Sequence, residues 1–339
     1  MAGDIIRVGL VGYGLAGKAF HAPLIRACDR LRLAAVLSSR GAPNQVGSMP
    51  ELIACSDLIV VASPNATHFP IAKQALEAGR HVVVDKPLTV TVDEADELIR
   101  IAAERKRVLS VFHNRRWDAD FLMVRDILPQ LGDVLLFEAN WDRFRPEIKM
   151  GWREDAGPGA GLFNDLGSHL IDQALQLFGM PDAIDADIEA QRAGAAVDDY
   201  FDVTLHYGVR RVCLRSSTLV AAPRPRFAIH GAGGSFMKHG LDPQESQLKS
   251  GMDPTDPAFG VDSNDGKIIA PDGSSKPVRS GRGNYRAFYD GLAAAILDGA
   301  PVPVLAADAR AGLALIHLAR SASSQERRLQ VPAASLPAG

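Results

Sequence analysis

Three residues in two separate segments carry side chains that could transfer a proton or bind a charged oxygen. Asp165 and His169 are four residues apart in a helical pattern, which places them on one helix face, about one turn apart. Asp172 continues the same stripe. Lys86 follows the apolar segment His81–Val84, and an ammonium there can stabilise negative charge developing on a substrate oxygen. A histidine accepts a hydroxyl proton near neutral pH and a carboxylate can orient it, so these residues predict proton transfer.

The same residue types have plainer interpretations. An Asp–His pair at this spacing is also typical of a helix surface or cap, and a lysine beside a strand can be a surface residue. The spacing would also suit a metal ion, but no further cluster of cysteines or histidines has ligand spacing. The three cysteines are far apart and odd in number, which argues against a disulfide framework and against a cysteine-rich metal site. From the missing ligand cluster and the scattered cysteines, we expect no bound metal.

A glycine-rich turn follows the first apolar segment. Ile6–Val11 is a continuous apolar run, typical of a strand buried on both faces. In a GxGxxG motif after such a strand, the first glycine permits a tight turn and the second lets the backbone approach a pyrophosphate. The third lets the helix pack closely on the strand. The alternative is a glycine turn that binds nothing. We expect a dinucleotide site, with the motif residues Gly12, Tyr13, Gly14, Leu15 and Gly17.

The end of the second predicted strand indicates which dinucleotide binds. An NAD site usually has an acidic residue here for the ribose hydroxyls, but this strand is followed by Ser38, Ser39 and Arg40. Two hydroxyls and a guanidinium suit a 2′-phosphate, so we expect a preference for NADP, with NAD also possible. A surface arginine is the alternative. The next helical segment begins about ten residues later, too few for a full helix and another strand. We expect a loop and a more open adenine pocket.

The elements that would position these residues fall into two groups. Strand-like and helix-like segments alternate over residues 5–112, which predicts a doubly wound parallel sheet of the Rossmann type in an α/β domain over residues 1–120. Within it, Thr91 to Glu94 forms a capping box for a helix. Runs of strands after helices predict an α+β domain over residues 121–339, with a mostly antiparallel open sheet. Residues 239–283, rich in Gly, Pro, Asp and Ser, are expected to form a long irregular insertion.

Composition excludes several classes of partner. Hydrophobic residues make up 47% of the chain, charged residues 23%, and the net charge is −3. These values are typical of a globular protein and give no reason to expect nucleic acid or an anionic membrane as partner. No basic stretch leads into a long apolar one at the N-terminus, and no apolar run reaches the length of a membrane span. We expect a cytoplasmic protein.

In this order, the segments resemble those of the Gfo/Idh/MocA oxidoreductase family over nearly the whole chain. The resemblance depends on the glycine motif, on Ala62–His68, on Asp85-Lys86-Pro87 and on Gly159–Asp172. The family usually has Glu-Lys-Pro, so Asp85 is a conservative departure and Lys86 is retained. Five further segments resemble the NADP-dependent scyllo-inositol dehydrogenase group: Phe20–Ile25, Ser110–Trp117, Arg143–Pro146, Trp152–Glu154 and Asp165–Gly179.

The resemblance implies roles for residues at matching positions. Lys86, Asp165 and His169 match the catalytic triad, with His169 as the general base. Contacts with the cofactor are implied for Ser63, Pro64, Asn65, His68, Asp85, Lys86, Asn114, Arg115, Trp152 and Arg153. Contacts with the substrate are implied for Lys86, Arg153, Asp165, His169 and Tyr285. Family members associate through the open face of the C-terminal sheet, which implies a homodimer or homotetramer.

These observations predict reversible oxidation of a secondary alcohol on a cyclitol or sugar, with hydride transfer to NADP. One alternative is another enzyme of the same fold, such as a sugar or aldehyde reductase or a dihydrodiol or biliverdin-reductase-like enzyme. A second is a non-catalytic regulator that senses NADP. A third is a bifunctional enzyme that holds its cofactor tightly.

Overall fold

The protein forms two compact units, each with its own hydrophobic core. A computed structural model describes residues 5–148, 154–157 and 159–332. Within these residues, the first unit consists of the chain up to Asp118 together with Pro243–Gly260 and Gly283–Arg310. The second consists of Ala119–Asp242, Val261–Arg282 and the chain from Ala311. The first change of unit thus lies close to the expected boundary at residue 120, but two later segments return to the first unit.

A parallel six-stranded sheet forms the centre of the first unit, as predicted. Its strand order is β3-β2-β1-β4-β5-β6, the order of a doubly wound dinucleotide-binding sheet. The central strands are almost entirely buried because helices cover both faces, which explains their continuous apolar sequences. The strands are β1 (Ile6–Val11), β2 (Leu31–Leu37), β3 (Gln45–Val46), β4 (Leu58–Val61), β5 (His81–Val84) and β6 (Leu109–Val111).

Local sequence signals explain where the helices of this unit begin. The predicted capping box is present: the Thr91 side chain accepts from the Glu94 N–H while the Glu94 carboxylate accepts from the Thr91 N–H. A loop follows β2, as expected, but it leads to the short strand β3, which the sequence did not indicate. The glycine motif opens a π-helical segment, Ala16–His21, where a plain α-helix was expected. The α-helices are α1 (Ala22–Arg26), α2 (Met49–Ala54), α3 (His68–Glu77) and α4 (Val92–Arg105).

The two returning segments complete the core of the first unit. They contribute the helices Gln244–Lys249 and Arg286–Asp298 and the first residues of the helix Ala306–Ser324. Several of their apolar side chains are fully buried in the same cluster as the sheet residues. These are Tyr285, Phe288, Tyr289, Leu292 and Val304.

A mixed nine-stranded sheet forms the second unit, in the order β14-β13-β12-β11-β7-β10-β9-β8-β15. All neighbouring pairs are antiparallel except β7 and β10, so the predicted mostly antiparallel sheet is confirmed. The strands are β7 (Val134–Asn140), β8 (Ala183–Glu189), β9 (Tyr200–Tyr207), β10 (Arg210–Ser217), β11 (Phe227–Gly231), β12 (Gly234–Lys238), β13 (Gly266–Ile269), β14 (Ser275–Val278) and β15 (Leu329–Gln330).

Helices pack on this sheet, and their apolar side chains complete the hydrophobic core of the second unit. They include α5 (Ala119–Ile127) and α6 (Ser168–Phe178), which follows directly on the π-helical segment Phe163–Gly167. The expectation of an irregular insertion over residues 239–283 was partly wrong, because β13 and β14 extend the sheet and a helix returns to the first unit. These strands and this helix were not predicted, because they are short and lie in a sequence rich in turn residues. Among the described residues, no helix combines the length and apolarity that a membrane crossing requires.

Candidate functional site

The glycine turn after β1 is shaped by close backbone packing at two of its three glycines. Gly12 has φ of +93°, and a Cβ there would lie 2.4 Å from the Ala62 carbonyl oxygen. A Cβ on Gly17 would lie 2.1 Å from the Gly12 carbonyl oxygen. A Cβ on Gly14, in contrast, would meet no protein atom within 4 Å. The first and third glycines are therefore required by the protein's own packing, while the second faces open space in which a pyrophosphate could approach the backbone.

The loop after β2 carries the three residues predicted to select the cofactor. Ser39 and Arg40 are exposed and Ser38 is half-buried. The Ser38 hydroxyl oxygen accepts from the Arg40 backbone N–H at 3.0 Å. The Gln45 side chain donates to the Ser38 carbonyl oxygen at 3.1 Å and accepts from the backbone N–H of Ala42. The loop is therefore ordered by its own hydrogen bonds, and the Ser38 hydroxyl hydrogen and the Arg40 guanidinium can still serve a ligand.

The loop after β4 is tied to the loop after β5 by one buried imidazole. His68 is 1% exposed. Its Nε2 lies 2.9 Å from the Ser63 carbonyl oxygen and its Nδ1 lies 2.7 Å from the Pro87 carbonyl oxygen. The Ser63 and Thr67 hydroxyls are also hydrogen-bonded, at 2.7 Å. Because His68 is occupied by these two carbonyl groups, its role in this structure is to join the two loops.

Asp85 and Lys86 stand at the carboxyl end of β5, at the same sheet edge as the glycine turn. The Asp85 side chain accepts from the backbone N–H of Lys86 at 2.8 Å, and its other oxygen lies 3.7 Å from Nε2 of His21. Burial opposes ionisation of Asp85, but the interaction with His21 and the charges of Lys86 and His68 outweigh it and lower the Asp85 pKa. Asp85 is therefore a carboxylate at neutral pH, directly beside the predicted catalytic lysine.

The segment after β6 holds a buried polar network. Arg115 donates to the Tyr285 hydroxyl at 3.0 Å and also to Glu245, while Tyr285 donates to Asp118 at 2.6 Å. Burial would raise the pKa of Glu245, but the charges of Arg115 and of a neighbouring lysine outweigh it and lower that pKa to about 2. Tyr285 is 0% exposed, so its hydroxyl serves this network. Asn114, beside Arg115, is half-buried.

The predicted catalytic helix begins in the second unit at a constrained turn. Gly161 has φ of +93°, and a Cβ there would lie 2.3 Å from Asp198 Oδ1. Asp198 accepts from the Phe163 N–H at 2.6 Å and from Arg320 at 2.8 Å. This carboxylate therefore caps the π-helical segment that contains Asp165, and its own charge is balanced by a guanidinium.

Asp165 and His169 lie on successive parts of the same helical run. Asp165 is half-buried in the π-helical segment and His169, on α6, is 5% exposed. The expectation that a regular α-helix sets their spacing was wrong, because a π-helical turn contains more residues than an α-turn. Asp172 is buried further along α6. The described residues contain no group of three or more His, Cys, Asp or Glu side chains that could hold a metal ion.

The structure places the predicted residues in two sets. The cofactor residues of β1, β2, β4 and β5 share one edge of the first sheet, because the carboxyl ends of parallel strands lie together. Asp165 and His169 belong to the second unit. Trp152 and Arg153 lie outside the described residues. Sequence reasoning gave no role to Asp198, which lies 35 and 122 positions from its partners Phe163 and Arg320. It also gave none to His21, although the segment Phe20–Ile25 that contains it is among those that carry the resemblance.

The first unit therefore has the architecture of a dinucleotide-binding domain, and its open position at Gly14 fits a nicotinamide dinucleotide. Residues 6–113 match the model of the NAD-binding Rossmann fold of the Gfo/Idh/MocA oxidoreductases. Residues 128–331 match the model of the C-terminal alpha/beta domain of the same family. The chain belongs to the Gfo/Idh/MocA oxidoreductase family and is an oxidoreductase with a nucleotide-binding Rossmann domain.

Individual relatives match over nearly their whole length. The uncharacterized oxidoreductase YdgJ of Escherichia coli is 45% identical over 331 residues, 93% of this chain and 95% of that protein. The scyllo-inositol 2-dehydrogenase (NADP(+)) IolW of Bacillus subtilis is 37% identical over 345 aligned positions, 97% of this chain and 96% of that protein. Among solved structures, the oxidoreductase yvaA of Bacillus subtilis has a TM-score of 0.94 at 36% identity and covers 97% of this chain and 99% of its own.

Proposed function

We propose that this protein is an NADP-dependent dehydrogenase that oxidises a secondary alcohol of a cyclitol or sugar, and catalyses the reverse reduction. The observation that carries the proposal is the edge of the first sheet, where an open glycine turn, the Ser38–Arg40 loop and Lys86 stand at the carboxyl ends of parallel strands. The 37% identity with IolW, a scyllo-inositol 2-dehydrogenase (NADP(+)), supports this substrate class.

The preference for NADP is supported by the chemistry of the loop after β2. No carboxylate occurs among Ser38, Ser39 and Arg40, so nothing there repels a 2′-phosphate. Arg40 is exposed and offers a planar set of donors, and the Ser38 hydroxyl retains its hydrogen for a ligand. The glycine turn would bind the pyrophosphate with Gly12, Tyr13, Gly14, Leu15 and Gly17.

The other cofactor residues act in two ways. Asp85, Lys86 and Asn114 would contact the cofactor from the loops after β5 and β6. His68 and Arg115, which are buried and engaged with protein groups, would hold those loops in place. The rest of the predicted cofactor set is Ser63, Pro64, Asn65, Trp152 and Arg153.

Lys86, Asp165 and His169 would carry out the proton chemistry. Lys86 Nζ donates to the substrate oxygen and stabilises the charge that develops on it. The His169 imidazole accepts the hydroxyl proton, and Asp165 orients and supports the imidazole. Bound NADP supplies the acceptor for the hydride that leaves the carbon, and the alcohol becomes a ketone. Arg153 would orient the substrate. Tyr285 would affect the substrate indirectly, because its hydroxyl accepts a hydrogen bond from Arg115 and positions that guanidinium.

The surroundings of the reaction follow from the same features. We propose that the enzyme is cytoplasmic, because Cys28, Cys55 and Cys213 are all free thiols, as a reducing compartment would keep them. We also propose a homodimer or homotetramer that associates through the open face of the nine-stranded sheet. Small polyols or sugars are the proposed substrates, with neither nucleic acid nor a membrane as partner.

A substrate panel tests the proposal. Purified protein is assayed with NADP and with NAD against inositols and aldoses, and in the reverse direction against diketones and aldehydes. We expect turnover of a cyclitol or sugar with NADP and much weaker turnover with NAD. Preferred reduction of diketones or aldehydes would support the aldehyde or dihydrodiol reductase class instead. NADPH binding without turnover of any compound would support the regulator, and nicotinamide absorbance in the purified protein would show a tightly held cofactor.

A further inference from the structure

A buried histidine lies between a tyrosine and Asp85. Asp85 belongs to the loop after β5, residues Asp85 to Pro87, which is called the catalytic loop below. His21 is 0% exposed and belongs to the π-helical segment after the glycine motif. Its Nδ1 lies 2.6 Å from the hydroxyl of Tyr289, which is also 0% exposed. Its Nε2 lies 3.7 Å from Oδ2 of Asp85. Three ionisable side chains from distant parts of the chain, Tyr289, His21 and Asp85, are thus in contact in a row. This row is called the line below, and it ends next to the predicted catalytic lysine, Lys86.

The chemistry of the two ends determines where the protons lie. Asp85 is a carboxylate, whose negative charge 3.7 Å away favours a hydrogen on the ring nitrogen that faces it. His21 is then protonated at Nε2, and its Nδ1 accepts from the Tyr289 hydroxyl. Burial and the negative charge of Asp85 raise the pKa of Tyr289 well above its ordinary value, so this hydroxyl keeps its proton. The Asp85 end therefore favours the Nε2–H tautomer of His21, and the Tyr289 hydroxyl, which can donate, is compatible with it.

The surroundings of His21 leave little freedom to the ring. Phe112 lies with its centroid 4.5 Å from that of His21, and Phe288 packs against Phe112 at 5.0 Å. Among the described residues, the charged or titratable groups in contact with His21 are Tyr289 on the helix Arg286–Asp298 and Asp85 after β5. Packing against Phe112, which Phe288 supports, restricts the plane of the imidazole ring and therefore the direction of its Nε2–H bond.

Asp85 transmits this orientation to Lys86. One carboxylate oxygen faces His21 and the other accepts from the Lys86 backbone N–H at 2.8 Å. At 3.7 Å the contact with His21 Nε2 is electrostatic, since Nε2 makes no hydrogen bond to any described residue. Rotation of the carboxylate would weaken this contact or break the hydrogen bond from Lys86. The backbone at Lys86, and therefore the position from which its side chain extends, is held from the buried side of the sheet.

We propose that Tyr289 and His21 are positioning residues of the catalytic loop, in which Tyr289 donates to His21, His21 directs Nε2–H at Asp85, and Asp85 holds Lys86 in register with substrate and cofactor. This inference rests on the proposed function, because positioning Lys86 affects turnover only if Lys86 takes part in the reaction. Neither residue touches the reacting atoms.

Matched variants of His21 separate the two halves of the line. The short amide of His21→Asn reaches the position of Nδ1 and can keep the pairing with Tyr289, but it does not reach toward Asp85. The longer amide of His21→Gln places an N–H near the position of Nε2. We expect kcat to fall by roughly 10- to 100-fold in His21→Asn, as expected for a misplaced catalytic group. His21→Gln should recover part of that loss, and Tyr289→Phe should lose less than His21→Asn.

Binding and a control variant distinguish positioning from general damage. The Kd for NADPH, followed by nicotinamide fluorescence, should stay within about threefold in all three variants, because the glycine turn is intact. Phe288→Leu disturbs the same aromatic cluster without touching the line, and its kcat should remain near the wild-type value. A kcat in His21→Asn equal to that of Phe288→Leu, or no advantage of His21→Gln over His21→Asn, would overturn the proposal.

A measurement without substrate keeps this inference separate from the proposed function. The ring nitrogens of ¹⁵N-histidine-labelled protein are recorded at alkaline pH, and the His21 signals are assigned by their loss in His21→Gln. We expect the Nε2–H tautomer in the wild-type protein. An Nδ1–H tautomer would refute the line even if the enzyme oxidises inositols, whereas the Nε2–H tautomer without any turnover would count against the proposed function alone.

Discussion

Arg40 is the residue on which cofactor choice depends most directly under the proposed function. It is exposed after β2, next to Ser38 and Ser39, and its guanidinium offers a bidentate set of donors to a phosphate. The proposal assigns selectivity in this loop mainly to this one charge, because a hydrogen bond to a charged group is stronger than one between neutral groups.

Replacing Arg40 by Ala should weaken NADP selectively. Losing a hydrogen bond to a charged group costs about 1.5–3 kcal/mol, which corresponds to a rise in the KM for NADP of roughly 10- to 150-fold. The KM for NAD should change little, because NAD has no 2′-phosphate. Steady-state kinetics with both cofactors measures the effect, and Arg32→Ala, an exposed arginine of β2, is the control. An equal rise for both cofactors would contradict the assignment.

Lys86 is the residue on which turnover depends under the proposed mechanism. Lys86→Ala should lower kcat by about 100-fold to 1,000-fold, the usual cost of removing a donor that stabilises a developing oxyanion. NADPH binding, measured by fluorescence titration, should weaken far less than kcat, since Lys86 is one cofactor contact among many and the glycine turn and the loop after β2 are unchanged. Turnover near the wild-type rate in this variant would exclude Lys86 from the reaction.

Among the elements, the glycine turn and the π-helical segment that follows it have two functions, packing and cofactor binding, that substitutions can separate. Gly17→Ala places a Cβ 2.1 Å from the Gly12 carbonyl oxygen, so it should destabilise the fold. Gly14→Ala meets no protein atom within 4 Å, so the melting temperature should stay the same while NADPH affinity falls. Thermal unfolding and NADPH titration of the two variants measure both effects. A strong loss of stability in Gly14→Ala would show that this glycine serves packing.

The junction of β5 and β6 should make stability depend on pH. His81 Nδ1 accepts from the Val108 backbone N–H at 3.0 Å, and this bond requires the neutral ring. Burial, with a smaller effect from the Arg107 charge, lowers the His81 pKa from 6.5 to about 4. Between these values the unfolded chain binds more protons than the folded one, so the contribution of His81 is complete above pH 6.5 and is lost as the pH falls toward 4.

His81→Asn tests this dependence. The amide oxygen can accept from the same N–H but does not titrate, so the free energy of unfolding should decline less steeply with acidification in the variant. Urea unfolding across this pH range, with the wild type as reference, gives the two slopes. Identical slopes would show that other groups cause the dependence.

At the scale of the whole molecule, the first unit is not a continuous piece of chain. Tyr285, Phe288, Tyr289 and Leu292 come from a returning segment and are buried in the same core as the sheet. A fragment of residues 1–120 should therefore lack cooperative unfolding and bind NADPH at least about tenfold more weakly, because large buried side chains each contribute about 1.5–3 kcal/mol. Calorimetry and fluorescence titration of the fragment test this. A fragment as stable as the intact protein would show that residues 1–120 are an independent domain.

The agreement between sequence and structure follows the range of the interactions involved. The bounds of β1 and β5 and the capping box of α4 were predictable, because apolar strand runs and cap chemistry are encoded by neighbouring residues. The strands β13 and β14 were missed because short strands in a region rich in turn residues have no clear periodicity. The return of residues 243–260 and 283–310 to the first unit had no local signal.

By itself, the sequence determined the fold class, the family and the position of the dinucleotide turn, since each depends on residue types at short and regular spacing. Only the tertiary structure decided that Gly14 alone of the three motif glycines faces open space, that Asp198 caps the segment containing Asp165, and that Tyr289 and His21 lead to Asp85. The physical reason is that these contacts join residues that are far apart in the chain. Their distances are set by the packing of whole elements, which no pattern of neighbouring residues records.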